Sequence, residues 1–329
     1  MRDPLTFEAR FRAGLGALGL GPGARVLVAL SGGCDSVVLL HLFRFACRDL
    51  GIEVAAAHFD HAMRGESAGD ARWAAGLCRA WEVPLLFARA TAPPRSEAEA
   101  REARYAFLRR AKSEAGATHL ATAHHADDQA ETVLFRLLRG TGPAGLAGIA
   151  PVDESGLVRP LLPFWRAEIR RHARARRLRW REDPTNAGLD PARNRIRHQI
   201  LPLIERTVAP GARRSLARLA ALAREDEAAW ERALAAETAA AARWEEGAVV
   251  LVRERLTGYD SPVAARVLRG VLRRFGIVLD LRGTRTALQF ISTAPSGRTL
   301  LLPGGRARVV IHFGEARVEP VTPPPPPDL

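Results

Sequence analysis

Residues 26–36, Val-Leu-Val-Ala-Leu-Ser-Gly-Gly-Cys-Asp-Ser, constrain this chain more than any other stretch. The run 26–30 is short and wholly apolar, which suits a strand buried on both faces of a parallel sheet. Ser31, Gly32 and Gly33 then turn the chain. From Asp35 to about Arg48 the apolar residues Val38, Leu39, Leu42 and Phe43 recur at helical spacing. Strand, glycine turn and helix together aim free backbone N–H groups at one point. That is an anion site, and adjacent glycines let a phosphate approach the backbone closely. An ordinary strand–turn–helix capped by serine and aspartate shares this outline. The loop is neither a Walker A motif nor Gly-x-Gly-x-x-Gly: the spacing differs, and the only lysine in the chain is Lys112.

The flanks repeat the alternation. A helix over 5–20 ends at Gly21-Pro22-Gly23, and further apolar runs follow at 54–58, 84–88 and 118–123. Helical stretches lie between them near 67–80 and 96–115. This predicts βαβ units and an α/β fold with a parallel sheet, whose strand C-termini share the edge where ligands bind. The composition changes after about Ala150. Residues 159–198 are dense in arginine, 215–243 read as one long Ala/Leu/Arg/Glu helix, and 248–318 mix strands (249–252, 298–302, 307–312) with a helix near 262–275. The expected division is a catalytic domain with a basic extension over 1–205. A helical linker and a smaller α+β domain over 206–329 follow, ending in a proline-rich tail at 323–327.

With 47% hydrophobic residues among 329, the chain can bury a sizeable core. No apolar run approaches the ~20 residues of a membrane helix, and the N-terminus does not read as a signal peptide. Cys34, Cys47 and Cys78 show no Cys-x-x-Cys pairing and fit a reducing compartment. The net charge of +13 suits a polyanionic partner, nucleic acid first. Because nearly all the cations are arginine, compositional bias explains part of that charge.

Polar clusters fall after the predicted strands. His58-Phe-Asp60-His61 leads to Arg64 and Glu66; two histidines alone make a poor metal site, and nucleotide or RNA contact suits the loop better. Arg101 and Arg104 share a helix face and can grip phosphate, or form a solvated ion-pair face with Glu97 and Glu102. In His124-His125-Ala-Asp127-Asp128-Gln-Ala-Glu131, the carboxylates Asp128 and Glu131 face one way and can hold a metal or an organic cation. Part of that acidity can equally be helix capping. Finally, Arg193-Asn-Arg195-Ile-Arg197-His198 follows an Asp-Pro-Thr-Asn turn and suits phosphate contact.

The pattern Ser-Gly-Gly-x-Asp-Ser at 31–36 resembles the PP-loop of the N-type ATP pyrophosphatases, which cleave ATP between the α and β phosphates. This implies a Rossmann-like PP-loop domain with ATP and Mg2+ as cofactors, Ser31, Gly32, Gly33 and Ser36 on pyrophosphate, and Asp35 near the magnesium ion. The ordered segments 31–36, 58–65, 101–105, 124–132 with 138–142, 159–161, and 183–186 with 193–198 narrow the match. Together they resemble the tRNA(Ile)-lysidine synthase family, in a short form with one C-terminal domain. The resemblance implies adenylation of the wobble cytidine of an isoleucine tRNA with a CAU anticodon, then attack by free L-lysine to give lysidine. Catalytic roles carry over to Asp35, His124, Asp128, Glu131 and Arg195, with Asp128 and Glu131 holding the ammonium groups of lysine and Arg195 the adenylated intermediate. Nucleotide contacts carry over to the loop, His58, Arg101 and Arg104. A cytoplasmic enzyme without membrane contact is implied, and a homodimer is admitted but not required. Two rival readings are a PP-loop tRNA thiolase, which would draw on cysteines, and a non-catalytic RNA-binding protein, which would carry damaged motifs.

Overall fold

Val26, Leu27 and Val28 are fully buried, as the apolar run requires. They form the middle of β1 (Arg25–Ala29). In the computed structural model, which describes residues 6–62, 67–153, 155–181, 191–274, 276–305 and 307–321, β1 is the central strand of a five-stranded sheet ordered β3-β2-β1-β4-β5. The others are β2 (Glu53–Asp60), β3 (Leu85–Arg89), β4 (His119–Ala121) and β5 (Leu157–Val158), and every pairing is parallel. The expected α/β fold is therefore observed.

Helices cover both faces. Val26, Val28 and Leu30 pack with Phe11 of α1 (Phe7–Leu15) and with Val38 and Leu39 of α2 (Cys34–His41). Leu27, pointing the other way, meets Phe107 and Leu108 of α4 (Glu97–Glu114). Between them, α3 (Ser67–Ala80) links β2 to β3. Next come α5 (Ala126–Leu138), α6 (Pro143–Leu146) and α7 (Arg166–Ala175). Beyond the sheet, α8 (Pro191–Arg195) runs through a wide π-type turn, Ile196–Ile200, into α9 (Leu201–Thr207). Leu134 of α5 packs with Ile196 and Leu201 and so anchors that arginine-bearing segment.

Two compact units emerge, Met1–Ala223 and Arg224–Leu329, and α10 (Ala212–Ala233) carries the chain from one to the other. The second holds an antiparallel sheet ordered β6-β7-β10-β9-β8. Its elements are α11 (Ala235–Ala240), β6 (Ala242–Glu245), β7 (Ala248–Val252), α12 (Arg253–Thr257), α13 (Ser261–Arg274), α14 (Leu281–Thr293), β8 (Thr299–Leu301), β9 (Ala307–His312) and β10 (Glu315–Pro320). Val249 and Leu251 face Val267, Leu268 and Ile291 in its core. This is the smaller α+β domain expected from the sequence.

Some bounds differ. The first helix stops at Leu15 and closes with a single tight turn, because Gly19 takes a left-handed φ of 72°. The long helix expected over 215–243 ends at Ala233, and its last residues become β6. Gly247, at φ 70°, reverses the chain there and lets Ala242 pair with Leu251, so the buried strand β7 gains a hydrogen-bonding neighbour that outweighs helical propensity. Arg64, Glu66, the 182–186 turn and the 323–327 prolines lie outside the described residues. Among the described residues no helix is long and apolar enough to cross a membrane.

The exit from α5 is tied by one buried amide. Gln129 accepts from the N–H of Ile149 at 2.6 Å and donates to the carbonyl of Ala147 at 3.3 Å. Gly148 sits at φ 64°, where an added Cβ would lie 2.7 Å from the Gln129 oxygen. Gly148→Ala is expected to lower the unfolding free energy by about 1–3 kcal/mol in urea titration; an unchanged midpoint would contradict this account of the turn.

Candidate active site

The chain adds β2 and β3 on one side of β1, then returns to add β4 and β5 on the other. The strand order reverses between β1 and β4, and a crevice opens beyond their C-terminal ends, the usual ligand site of such sheets. The glycine loop leaves β1 there and His124 and His125 leave β4. A cleft of about 460 Å³ lies between them, lined by Ser31, Gly33, Asp35, His124 and Asp128 among others.

The loop holds itself open. Gly32 adopts φ 89°, which favours glycine, and its carbonyl accepts from the N–H of Arg181 at 2.9 Å. Ser31 Oγ accepts from Gly33 N–H and lies 3.1 Å from Ser36 Oγ, which donates to the Gly33 carbonyl at 2.9 Å. Gly33 caps α2 without a side chain, so the first-turn N–H groups of α2 have no intrahelical partner and face outward. His58, near the end of β2, lies beside the loop; it is buried, and its Nδ1 lies 2.8 Å from the Leu30 carbonyl.

Asp35 sits on that first turn. One of its oxygens, Oδ1, is buried and has no hydrogen-bond partner. Burial pushes the carboxyl above its usual range, opposed by His125, Arg166 and Arg170. A hard cation with oxygen ligands would relieve this, so the residues present fit a magnesium ion bound by one carboxylate and the substrate's phosphates. His125 is the residue that sequence reasoning passed over. Its Nε2 lies 3.6 Å from both Asp35 Oδ2 and Asp128 Oδ2, and its backbone N–H donates to Asp128 Oδ2 at 3.0 Å. It therefore joins the two strand ends. Asp127 Oδ2 lies 3.7 Å from the other ring nitrogen of His125 and accepts from the N–H of Arg166, the first residue of α7.

The acidic pair meets arginines. Arg197 donates to Glu131 through Nε at 2.7 Å and Nη2 at 2.8 Å, and Nη2 also reaches Asp128 Oδ1 at 2.9 Å. Arg193 stands 3.6 Å from Glu131. Burial works against the Asp128 charge, yet His125, His124, the His125 N–H and Arg197 together hold its carboxyl below the usual range. Glu131 is 3% exposed and behind Arg197, outside the cleft lining, whereas Asp128 is on it.

Of the other expected residues, Arg104 lines the cleft with Tyr105. Arg101 is exposed and lies 4.8 Å from the centre of the Tyr105 ring. Arg195 is exposed on α8, apart from the cleft lining. Arg166 and Arg170, at i and i+4 on α7, line the cleft and act on the nearby Asp35. Their spacing was present in the sequence but hidden in a region where arginine is common.

Burial pushes the His124 ring down to about 4, with Thr122 Oγ1 2.9 Å from its Nδ1. A histidine depressed in the folded state is protonated first in the unfolded chain. Its contribution to stability is therefore lost as pH falls from about 6.5 towards 4. His41, also pushed down to about 4 by burial, acts in the same window, and Asp35, raised, acts oppositely. The difference between wild type and His124→Gln isolates the ring: urea midpoints should fall less steeply in the variant between pH 6.5 and 4, and parallel curves would contradict this.

Residues 7–204 match the family described as the PP-loop domain. A tRNA(Ile)-lysidine synthase from Thermosynechococcus vestitus is 33% identical over 92% of this chain and 89% of its own length. Those from Solibacter usitatus and Thermotoga maritima are 40% and 42% identical, over 84% and 56% of this chain. The chain spans 63% and 46% of the lengths of these two. Among solved structures, the U34-tRNA thiolase NcsA from Methanococcus maripaludis aligns with a TM-score of 0.56 at 19% identity, over 66% of this chain and 77% of that one, and shares the fold. A family match across the whole parallel-sheet unit and an alignment that runs almost end to end with one relative establish that the chain belongs to the PP-loop proteins, within the tRNA(Ile)-lysidine synthase family.

Proposed function

We propose that this chain converts the wobble cytidine of an isoleucine tRNA with a CAU anticodon into lysidine, using ATP and free lysine and releasing AMP and pyrophosphate. The observation that carries the reading is the joint cleft: it is lined both by the glycine loop with Asp35, whose Oδ1 has no hydrogen-bond partner, and by the Asp128 carboxylate. The loop and helix N–H groups suit an ATP polyphosphate, and the Asp128 carboxylate a cationic co-substrate.

In the first step the cytosine O2 attacks the α-phosphorus of ATP, and pyrophosphate leaves. Ser31, Gly33, Ser36 and the N–H groups of α2 cradle the departing phosphates, and Arg166 and Arg170 offset their charge. Asp35 would hold a magnesium ion, which supplies charge neutralisation on the phosphates. In the second step the ε-amine of lysine attacks carbon 2 and AMP leaves with the former carbonyl oxygen, a far better leaving group than oxide. Asp128 holds a lysine ammonium group on the cleft side, competing with Arg197 for Oδ1. Glu131 retains Arg197 and so sets where the arginine-rich segment sits. His124 is neutral and abuts the activated base, His125 positions both carboxylates, and His58, Arg101, Arg104 and Arg195 complete the contacts to nucleotide and adenylated tRNA. The tRNA is bound by the chain as a whole, the second unit included, in keeping with the overall charge of +13, most of which lies on the first unit. The cytoplasm is the setting, in keeping with three free, buried cysteines.

The thiolase alternative is disfavoured by chemistry. Burial pushes Cys34, Cys47 and Cys78 each up to about 11, so none offers the thiolate that sulfur transfer uses.

The test is incubation of the purified chain with the tRNA transcript, ATP, magnesium and lysine. AMP, pyrophosphate and lysidine should appear in equal amounts by nucleoside mass analysis; ADP, or unmodified cytidine beside spent ATP, would reject the reading. Asp35→Ala should reduce AMP formation at least ~100-fold. Asp128→Asn should raise the KM for lysine about tenfold or more while pyrophosphate release in a single turnover stays within about threefold of wild type. Equal loss of both steps in Asp128→Asn would instead assign that carboxylate to the ATP half-reaction.

A further inference from the structure

Away from the cleft, three side chains from three elements converge at the other end of α2. Glu8 is in the first turn of α1, His41 is the last residue of α2, and His172 is in the last turn of α7. One ligand atom from each lies within 4.8 Å of the other two. His172 is 8% exposed, and its Nε2 has no hydrogen-bond partner; the same holds for the buried Nδ1 of His41. Aromatic rings wall the place: Phe7 stacks on His172 at 4.6 Å, and Phe45 and Trp81 flank His41 at 5.1 and 5.8 Å.

Two imidazole nitrogens left unsatisfied among aromatic rings carry a desolvation cost that hydrogen bonds do not recover. The nearest acceptor, Glu8 Oε1, is 3.8 Å from His172 Nε2, too long for a hydrogen bond. Arg176, exposed, takes that same Glu8 oxygen at 2.6 Å, which leaves the second carboxylate oxygen available. Two histidines and one glutamate are a zinc donor set. Tetrahedral zinc, with bonds of about 2.0–2.2 Å, needs ligand atoms some ~3.3 Å apart. The three ligand atoms, within 4.8 Å of one another, would close to that spacing by side-chain rotation.

We propose that Glu8, His41 and His172 form a second metal site, for Zn2+, with water as the fourth ligand. The site is a staple. It ties α1 to α2, which carries the glycine loop at its other end, and to α7, which carries Arg166 and Arg170 into the cleft. Burial lowers the affinity of both rings for protons, which favours the neutral form that binds metal.

The test uses the full-length protein after chelator treatment. Zn2+ titration by calorimetry, and Co2+ titration read by its visible absorption, should each give one equivalent per chain. Zn2+ should also raise the melting temperature. Glu8→Gln, His41→Gln and His172→Gln should each weaken binding at least tenfold. Asp35→Asn, which alters the cleft, should leave the stoichiometry and affinity unchanged. If His172→Gln fails to fold, the two less buried variants still decide. Absence of binding to the wild type, or binding that persists in His41→Gln and Glu8→Gln, would overturn the proposal; binding abolished by Asp35→Asn would assign the metal to the cleft.

Discussion

The pairing of β1 with β2 on one side and β4 on the other determines where the chemistry of the first unit can be. Leu27 is in register with Ala55 and with Leu120, so β1 is hydrogen-bonded along both edges and buried on both faces. No ligand can reach a strand in that position except at its end. The two segments that leave the sheet at the adjoining C-terminal ends, 30–36 and 122–128, therefore carry the reactive groups. The helices α2 and α5 begin there and present unpaired N–H groups or their capping carboxylates to the same space.

Charge then has to be managed in a confined place. Asp35, Asp128 and Glu131 gather where water is scarce, and each meets it differently. Glu131 is neutralised by a bidentate guanidinium. Asp128 is shared among Arg197, a backbone N–H and the nearby His125 ring. Asp35 is left with one oxygen unpartnered. A buried pair that is already satisfied serves position, whereas the uncompensated group is the one that gains most when a cation and a polyphosphate arrive. By this criterion Asp35 is the carboxylate best suited to the proposed ATP site, Asp128 is part paired and part exposed to the cleft, and Glu131 is already satisfied by Arg197.

Much of this was legible from the residues. An apolar β-rich run ending in two glycines has few alternatives to a buried strand and a tight turn, so the loop and the sheet were readable from 26–36. His125 was not, because its importance comes from Asp35, ninety residues earlier and visible only once the strands pair. Arg166 and Arg170 were obscured by the abundance of arginine around them. The sequence pointed to Arg195 in an alternating run and gave Arg197 no part of its own, and only the fold shows that Arg197 is the one that faces the acids. Likewise β6 has helix-forming composition and becomes a strand through a partner that local propensity does not register.

The central claim is that the cleft joins an ATP α-phosphate to the cytosine carbonyl oxygen, which later departs with AMP. Oxygen tracing tests it directly. A tRNA carrying 18O at O2 of the wobble cytidine, turned over with ATP and lysine, should yield AMP with one 18O atom on phosphorus and lysidine without label. Unlabelled AMP formed together with lysidine would mean that the oxygen was never adenylated, and would contradict the account.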